Sequence, residues 1–190
     1  MSKKIAINGF GRIGRNAFKI AFERDDIEIV AINDLTDTKT LAYLLKHDST
    51  YGNYHQEVTY TEDSLVVAGK KIRVLNEKNP SDLPWNELGV DVVVEATGLF
   101  VDPAKARTHI NAGAKKVVIS APAKGEGAKF IVLGVNENTL SRSDEIISNA
   151  SCTTNCIAPI MAILEREFGV EKSMMTTVHS YTASQRLLDA

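Results

Sequence analysis

The sequence predicts an α/β fold: a doubly wound, mostly parallel sheet with a small antiparallel insertion, followed by the start of an α+β domain. Three observations carry that prediction. A short apolar run, Ile5-Ala6-Ile7-Asn8, leads directly into a G-x-G-x-x-G spacing at Gly9-Phe10-Gly11-Arg12-Ile13-Gly14. A helical pattern and a second apolar run, residues 27–33, come next, closed by Asp34 about 20 residues beyond the last motif glycine. Further on, residues 91–97 and 116–120 repeat the strand–helix–strand alternation of a parallel sheet.

Each element has a local reason. After the glycine motif, Ala17, Phe18, Ala21 and Phe22 recur at helical spacing, and Arg24-Asp25-Asp26 ends that helix. Strand, glycine turn, helix, strand and acid in this order form a Rossmann-type dinucleotide-binding unit. Gly9 permits the tight turn, Gly11 lets backbone approach a pyrophosphate, and Gly14 lets the helix pack on the strand. The N–H groups of Arg12 and Ile13 face phosphate at a helix end that is already positive. The Asp34 carboxylate accepts hydrogen bonds from the adenosine ribose hydroxyls and repels a 2′-phosphate. Leu35 and Thr36 supply no cation to offset that repulsion, so NAD is favoured over NADP.

Residues 37–45 read as a second helix, and the polar stretch from His47 to Asn53 as a loop. Residues 57–60, 64–67 and 71–75 read as short antiparallel strands, with Ala68-Gly69-Lys70 turning the last two. Asn79-Pro80 and Leu83-Pro84 mark a loop in which Trp85 is a packing anchor. Residues 91–97 are rich in β-branched side chains and stop at Gly98. A helix over 102–111 follows, with Pro103 at its first position and Gly113 at its stop. Strands are expected at 116–120, 130–132 and 145–148. Residues 1–150 then form the NAD-binding domain, and 151–190 begin a catalytic domain whose first new strand is 173–178. The chain reaches Ala190 with that sheet just begun, so the second domain is expected to be truncated and the piece alone inactive.

Composition narrows the function. The 190 residues are 44% apolar and 24% charged with net charge −2, which gives no reason to expect charge-driven binding to nucleic acid or an anionic membrane. No signal-peptide pattern or membrane-length apolar run is present, and two free cysteines suit a reducing compartment. A soluble cytoplasmic protein is the expectation. Without a C-x-x-C pair or a second ligand cluster, zinc is disfavoured and no metal site is assigned.

The chemistry centres on Ser151-Cys152-Thr153-Thr154-Asn155-Cys156, where Cys152 stands in the first turn of a helix continued by Ile157, Ile160, Met161, Ile163, Leu164 and Phe168. A helix N-terminus favours a thiolate, but by roughly 0.3–1 kcal/mol, less than the ~1.36 kcal/mol of one pKa unit. The dipole alone leaves a thiol of pKa ~8.5 mostly protonated at neutral pH. An imidazolium supplies the rest, and His179, at the end of the predicted strand 173–178, is placed to return beside the helix start. His55 and His109 are not excluded by spacing, and His47 is read as a solvated loop histidine. Cys156 reads as helix packing, with a resolving thiol as the alternative. The bland alternative, a buried structural cysteine and histidine, also stands on the residues alone.

The runs Ile7-Asn8-Gly9-Phe10-Gly11-Arg12-Ile13-Gly14-Arg15, Glu95-Ala96-Thr97-Gly98, Ser120-Ala121-Pro122, Ala150-Ser151-Cys152-Thr153-Thr154-Asn155-Cys156 and His179-Ser180-Tyr181-Thr182 resemble the phosphorylating glyceraldehyde-3-phosphate dehydrogenases, of bacterial type. The resemblance implies that Cys152 forms a thiohemiacetal and then a thioester, with His179 moving the protons and NAD accepting hydride. It implies glyceraldehyde 3-phosphate and inorganic phosphate as substrates, with Ser151, Cys152, Thr153 and Thr182 holding substrate and phosphate. Arg12, Ile13, Asp34, Lys78 and Ser120 match cofactor-contacting positions, Lys78 standing where an arginine is expected. A homotetramer is implied for the full-length protein. Erythrose-4-phosphate dehydrogenase and a non-catalytic NAD-binding or thiol redox module remain the rival readings.

Overall fold

Along the first strand, β1 (Lys3–Asn8), neighbouring side chains leave the sheet on opposite faces, and this alternation decides how the sheet is covered. Ile7 joins a cluster with Phe10, Phe18, Ile32, Leu41 and Leu45, whereas Ala6 joins one with Ala31, Trp85, Val90 and Val93. Both faces are apolar, so both must be covered, as in parallel α/β sheets. The computed structural model describes residues 2–180.

The glycine turn leads into α1 (Arg12–Phe22), which buries Gly14, Phe18 and Ala21 at helical spacing. Next come β2 (Ile27–Asn33) and α2 (Thr38–Lys46), the latter capped by Asp37, whose carboxylate accepts from Thr40 N–H at 2.9 Å. The short strands β3 (Val58–Tyr60), β4 (Ser64–Val67) and β5 (Lys70–Leu75) follow. Ala68 and Gly69 both take positive φ, 47° and 77°, the backbone that a tight two-residue hairpin turn requires. Trp85 opens a one-turn helix, α3 (Trp85–Leu88), and is fully buried. Strand β6 (Val92–Glu95), helix α4 (Pro103–Asn111), β7 (Lys116–Ile119), β8 (Lys129–Phe130) and β9 (Ile146–Ser148) complete the sheet, and α5 (Cys152–Phe168) follows.

The sheet order is β3-β4-β5-β2-β1-β6-β7-β9-β8, with β4 antiparallel to both β3 and β5 and the other pairings parallel. The chain therefore winds outward from β1 in both directions, which leaves a crevice at the carboxyl ends of β1 and β6. The predicted antiparallel insertion is a continuation of the main sheet, since β5 pairs in parallel with β2 from Ala31↔Arg73 to Asn33↔Leu75. Helices α1 and α2 cover one face; α3 and α4 cover the other, where Ala106 packs on Val117, Ile119 and Ile146.

Three expectations differ from the structure. Residues 173–178 carry no strand, because no neighbouring strand among the described residues takes up their backbone hydrogen bonds. The strand expected at 130–132 is Lys129–Phe130 instead, where β9 offers a partner. Helix α5 buries none of its residues; Ile160, Ile163, Leu164 and Phe168 are exposed, and so is Cys156, which the sequence had placed in packing. None of the described helices is long and apolar enough to cross a membrane.

Candidate active site

The carboxyl edge of the sheet collects the residues that the sequence singled out. In spatial order across β2, β1, β6, β7 and β9, the segments that leave the strand ends carry Asp34, Gly9, Thr97, Ser120 and Cys152. Four strand spacings of about 4.8 Å separate the first from the last, on the order of 20 Å. An extended dinucleotide spans that kind of distance.

At one end of the row lies a cavity of about 480 Å³, walled by Gly9, Gly11, Asp34, Lys78 and the 96–100 loop among others. Its floor is built for close approach. Gly9 has φ 90° and lies against the backbone of Ala96 and Thr97, so only glycine fits there. A Cβ added at Gly11 would meet nothing within 4 Å, so the backbone there is open to a ligand. Gly11 is also the N-cap of α1 and supplies no side-chain cap, while Arg15 N–H makes the first intrahelical bond, to Gly11 O at 3.0 Å. The N–H groups of Arg12, Ile13 and Gly14 are thus without intrahelical partners, as an anion site at a helix start needs.

Asp34 ties this floor to the end of β2. Its Oδ2 accepts from Phe10 N–H at 2.7 Å and its Oδ1 from Thr36 N–H at 2.9 Å. Each oxygen keeps a free lone pair for a hydroxyl donor. Open backbone at Gly11 and an acceptor carboxylate in one cavity, with uncapped helix donors beside it, fit an adenosine diphosphate group.

At the other end of the row is the thiol. Ala150 takes φ 57°, a left-handed conformation that turns the chain sharply from β9 into α5. Ser151 caps the helix, its Oγ accepting from Thr154 N–H at 2.9 Å. Cys152 is then the first helical residue, exposed, with Sγ 3.0 Å from His179 Nε2. The hydrogen bond to His179 is the chief cause that lowers the thiol pKa below its ordinary value. The imidazole pKa is raised, first by the Ser180 carbonyl that accepts from Nδ1 and then by the thiol. The two shifts favour a thiolate–imidazolium pair, the arrangement of an activated nucleophile.

Residues 3–103 match the family model described as glyceraldehyde 3-phosphate dehydrogenase, NAD binding domain, and residues 151–190 match its C-terminal domain. The chain belongs to the glyceraldehyde-3-phosphate dehydrogenase family. It is 58% identical over 188 residues to the glyceraldehyde-3-phosphate dehydrogenase of Thermotoga maritima, a match covering 98% of this chain and 56% of that relative. The corresponding proteins of Streptomyces coelicolor and Geobacillus stearothermophilus are 56% and 55% identical, each match covering 100% of this chain and 56% of the relative. The chain thus spans about half the length of the curated family members it matches.

Within this chain the named residues are unequally placed. Gly9, Gly11, Asp34 and Lys78 share one cavity, and Arg12, Ile13 and Gly14 lie beside it on α1. Ser120 does not line that cavity; it follows β7, beyond the 96–100 loop, with its N–H donating to Glu95 O at 3.0 Å. Ser151 and Thr153 flank Cys152 in the first turn of α5, and Thr182 lies outside the described residues. The other three histidines do not face the thiol in hydrogen-bonding contact. His47 bonds Asn53, His55 lies 3.4 Å from Glu23, and His109 is wholly buried.

Sequence reasoning overlooked the surroundings of His109. Asn8, Asn33, Glu95 and His109 are all buried polar residues joined by hydrogen bonds, the two asparagines in the cavity wall and Glu95 and His109 behind it. The available signal was a polar residue ending each of three apolar strands, Asn8, Asn33 and Glu95. A buried polar group needs partners, so three such strand ends at adjacent positions imply a shared network.

Proposed function

We propose that this chain is the nucleotide-binding and thiol-bearing part of an NAD-dependent, phosphorylating glyceraldehyde-3-phosphate dehydrogenase. The observation that carries the reading is Cys152 Sγ at 3.0 Å from His179 Nε2, on the sheet edge that also holds the nucleotide cavity. Residues 1–150 serve as the NAD-binding domain, and residues 151–190 open the catalytic domain.

His179 Nε2 takes the Cys152 proton, and the thiolate adds to the aldehyde carbon of glyceraldehyde 3-phosphate. The imidazolium returns its proton to the alkoxide, giving a thiohemiacetal, and the neutral imidazole so regenerated then accepts the hydroxyl proton as the carbonyl re-forms. Nicotinamide, when bound, supplies the hydride acceptor that makes the product of this step a thioester. An oxygen of inorganic phosphate attacks the thioester carbonyl, the thiolate of Cys152 leaves, and an acyl phosphate results. Routing the oxidation through sulfur conserves its free energy for phosphate, which direct hydration of the aldehyde would lose.

Gly9, Gly11, Arg12, Ile13, Gly14 and Asp34 hold the adenosine diphosphate portion of NAD, with Lys78 at the adenosine rim and Ser120 further along the edge. Ser151 and Thr153 bind substrate or phosphate beside the thiol, together with Thr182. Free thiols suit the cytoplasm, and a homotetramer is the expected assembly of the whole protein.

The test combines two measurements on the chain. Cys152 should react with iodoacetate faster than free cysteine at neutral pH, and NAD should change that rate. A thiol no faster than free cysteine, with NAD binding retained, would leave only a nucleotide-binding module.

A further inference from the structure

Behind the nucleotide cavity, one buried carboxylate receives four donors. Glu95, 1% exposed at the end of β6, accepts from Asn8 Nδ2 at 2.6 Å and from His109 Nε2 at 3.0 Å through Oε2. Through Oε1 it accepts from Thr97 N–H at 2.8 Å and from the Thr97 hydroxyl. A carboxylate is an acceptor at every lone pair, and these partners fill its capacity. The direction of the histidine bond is fixed from behind. Trp85 Nε1–H can only donate, and it meets His109 Nδ1 at 3.0 Å. Nδ1 is therefore the acceptor, and Nε2 carries the hydrogen offered to Glu95.

Each of the other partners leads to a cavity wall. Asn8, at the entry to the glycine turn, accepts through Oδ1 from Asn33 Nδ2 at 2.7 Å. Asn33 in turn clamps the backbone of Glu77, accepting from its N–H and donating to its C=O, both at 2.8 Å. Thr97 Oγ1 accepts from Leu99 N–H at 3.0 Å. Asn8, Asn33, Glu77, Thr97 and Leu99 all line the cavity, whereas Glu95, His109 and Trp85 do not.

We infer that Glu95 is a positioning residue for the dinucleotide, an acceptor hub that holds three cavity walls in register while touching no ligand; this role depends on the nucleotide-binding reading above. The glycine turn, the 77–78 rim and the 97–99 loop belong to different segments, and Glu95 gives them one common reference. His109, locked by Trp85 as an Nε2–H donor, keeps the carboxylate aimed. Converting an acceptor of this hub into a donor displaces a wall, because each oxygen of the carboxylate faces at least one obligate donor, Thr97 N–H at Oε1 and Asn8 Nδ2 and His109 Nε2 at Oε2.

The test is a set of NAD titrations by calorimetry on the wild-type chain and its variants, at a temperature well below their melting transitions. Glu95→Gln is expected to weaken NAD binding at least tenfold, since its amide N–H₂ meets an obligate donor in either orientation, Thr97 N–H on one side or Asn8 N–H₂ and His109 Nε2–H on the other. Trp85→Phe removes the indole N–H, so His109 becomes free to shift its hydrogen to Nδ1 and accept at Nε2. The double variant Glu95→Gln/Trp85→Phe is therefore expected to bind NAD several-fold more tightly than Glu95→Gln alone, a rescue that a general loss of stability would not produce. If Glu95→Gln fails to fold by circular dichroism, His109→Gln, which keeps a donor amide toward Glu95, should bind within threefold of wild type, and His109→Leu at least tenfold more weakly. Wild-type affinity in Glu95→Gln, no rescue in the double variant, or equal binding by the two His109 variants would overturn the role of the hub. A wild-type chain that binds no NAD would instead overturn the nucleotide reading and the hub with it.

Discussion

A Cβ placed on Gly14 would lie 2.1 Å from the carbonyl oxygen of Gly9. The first turn of α1 therefore rests directly on the turn that leaves β1, backbone against backbone, with Ile7 alongside. Gly11, three residues earlier in the same motif, has nothing within 4 Å of the equivalent position. One motif contains two glycines with different reasons to be glycine.

Alanine separates those reasons. Gly14→Ala is expected to destabilise the fold by about 3 kcal/mol or more, because neither rigid partner can yield to the added methyl. Gly11→Ala should change stability by no more than ~1 kcal/mol, an N-cap effect, yet weaken NAD binding at least tenfold by filling the approach to the pyrophosphate. Urea melts and NAD titrations of both variants check the contrast. Equal stability losses would contradict it.

The thiol should titrate with its histidine. The Cys152 pKa is lowered and the His179 pKa raised, each partly through the bond between them. Iodoacetate alkylation of Cys152 should therefore reach half-maximal rate below the ordinary cysteine value of ~8.5. In His179→Gln the midpoint should move up toward that value, and the rate at pH 7 should fall several-fold. An unchanged profile would remove His179 from the activation of the thiol.

Asp34 should govern the choice of cofactor. Its two oxygens accept from Phe10 and Thr36 backbone and retain lone pairs for hydroxyls, while Lys78 lines the same cavity. Asp34→Ser removes the charge that repels a 2′-phosphate and leaves the Lys78 ammonium to attract one. NAD affinity should drop at least tenfold, since a charged hydrogen-bond acceptor is worth ~1.5–3 kcal/mol, and NADP affinity should rise. Parallel titrations with the two nucleotides decide the matter, and a fall for both in equal proportion would speak against it.

Tyr54 offers a stability switch at alkaline pH. Its hydroxyl is buried without a hydrogen-bond partner among the described residues, and its pKa is pushed up to about 12 by burial first and by Glu23 second. With the folded pKa above the unfolded value of ~10, this residue's contribution to stability is intact below pH ~10. It is lost progressively as pH rises toward about 12, where the unfolded chain ionises and the folded chain resists. Tyr54→Phe should remove that decline and, by deleting an orphaned polar group, add on the order of 1 kcal/mol at neutral pH. Denaturation curves at pH 8 and pH 11 measure both effects.

Much of this molecule is local in origin. The run 5–8, the glycine spacing, Asp34 and the β-branched stretch before Gly98 mark strands and a helix start through period and residue type alone. Ser151 before Cys152 is a capping signal of the same kind. Such features depend on neighbours within a few residues, so the sequence by itself determined the strand–helix–strand order of residues 1–46, the nucleotide-type turn and the place of Cys152 at a capped helix start. Pairing across distance is another matter. That β5 joins β2 and extends the main sheet depends on which strand edges are left open after the sheet winds outward from β1. Residues 173–178 have the composition of a strand but no partner among the described residues, and composition cannot supply the missing hydrogen bonds. His179 and His109 look alike in sequence, each a lone histidine. Only the tertiary structure sent one to the Cys152 sulfur, and it buried the other between Trp85 and Glu95, because the donor and acceptor that fix an imidazole come from segments far apart in the chain.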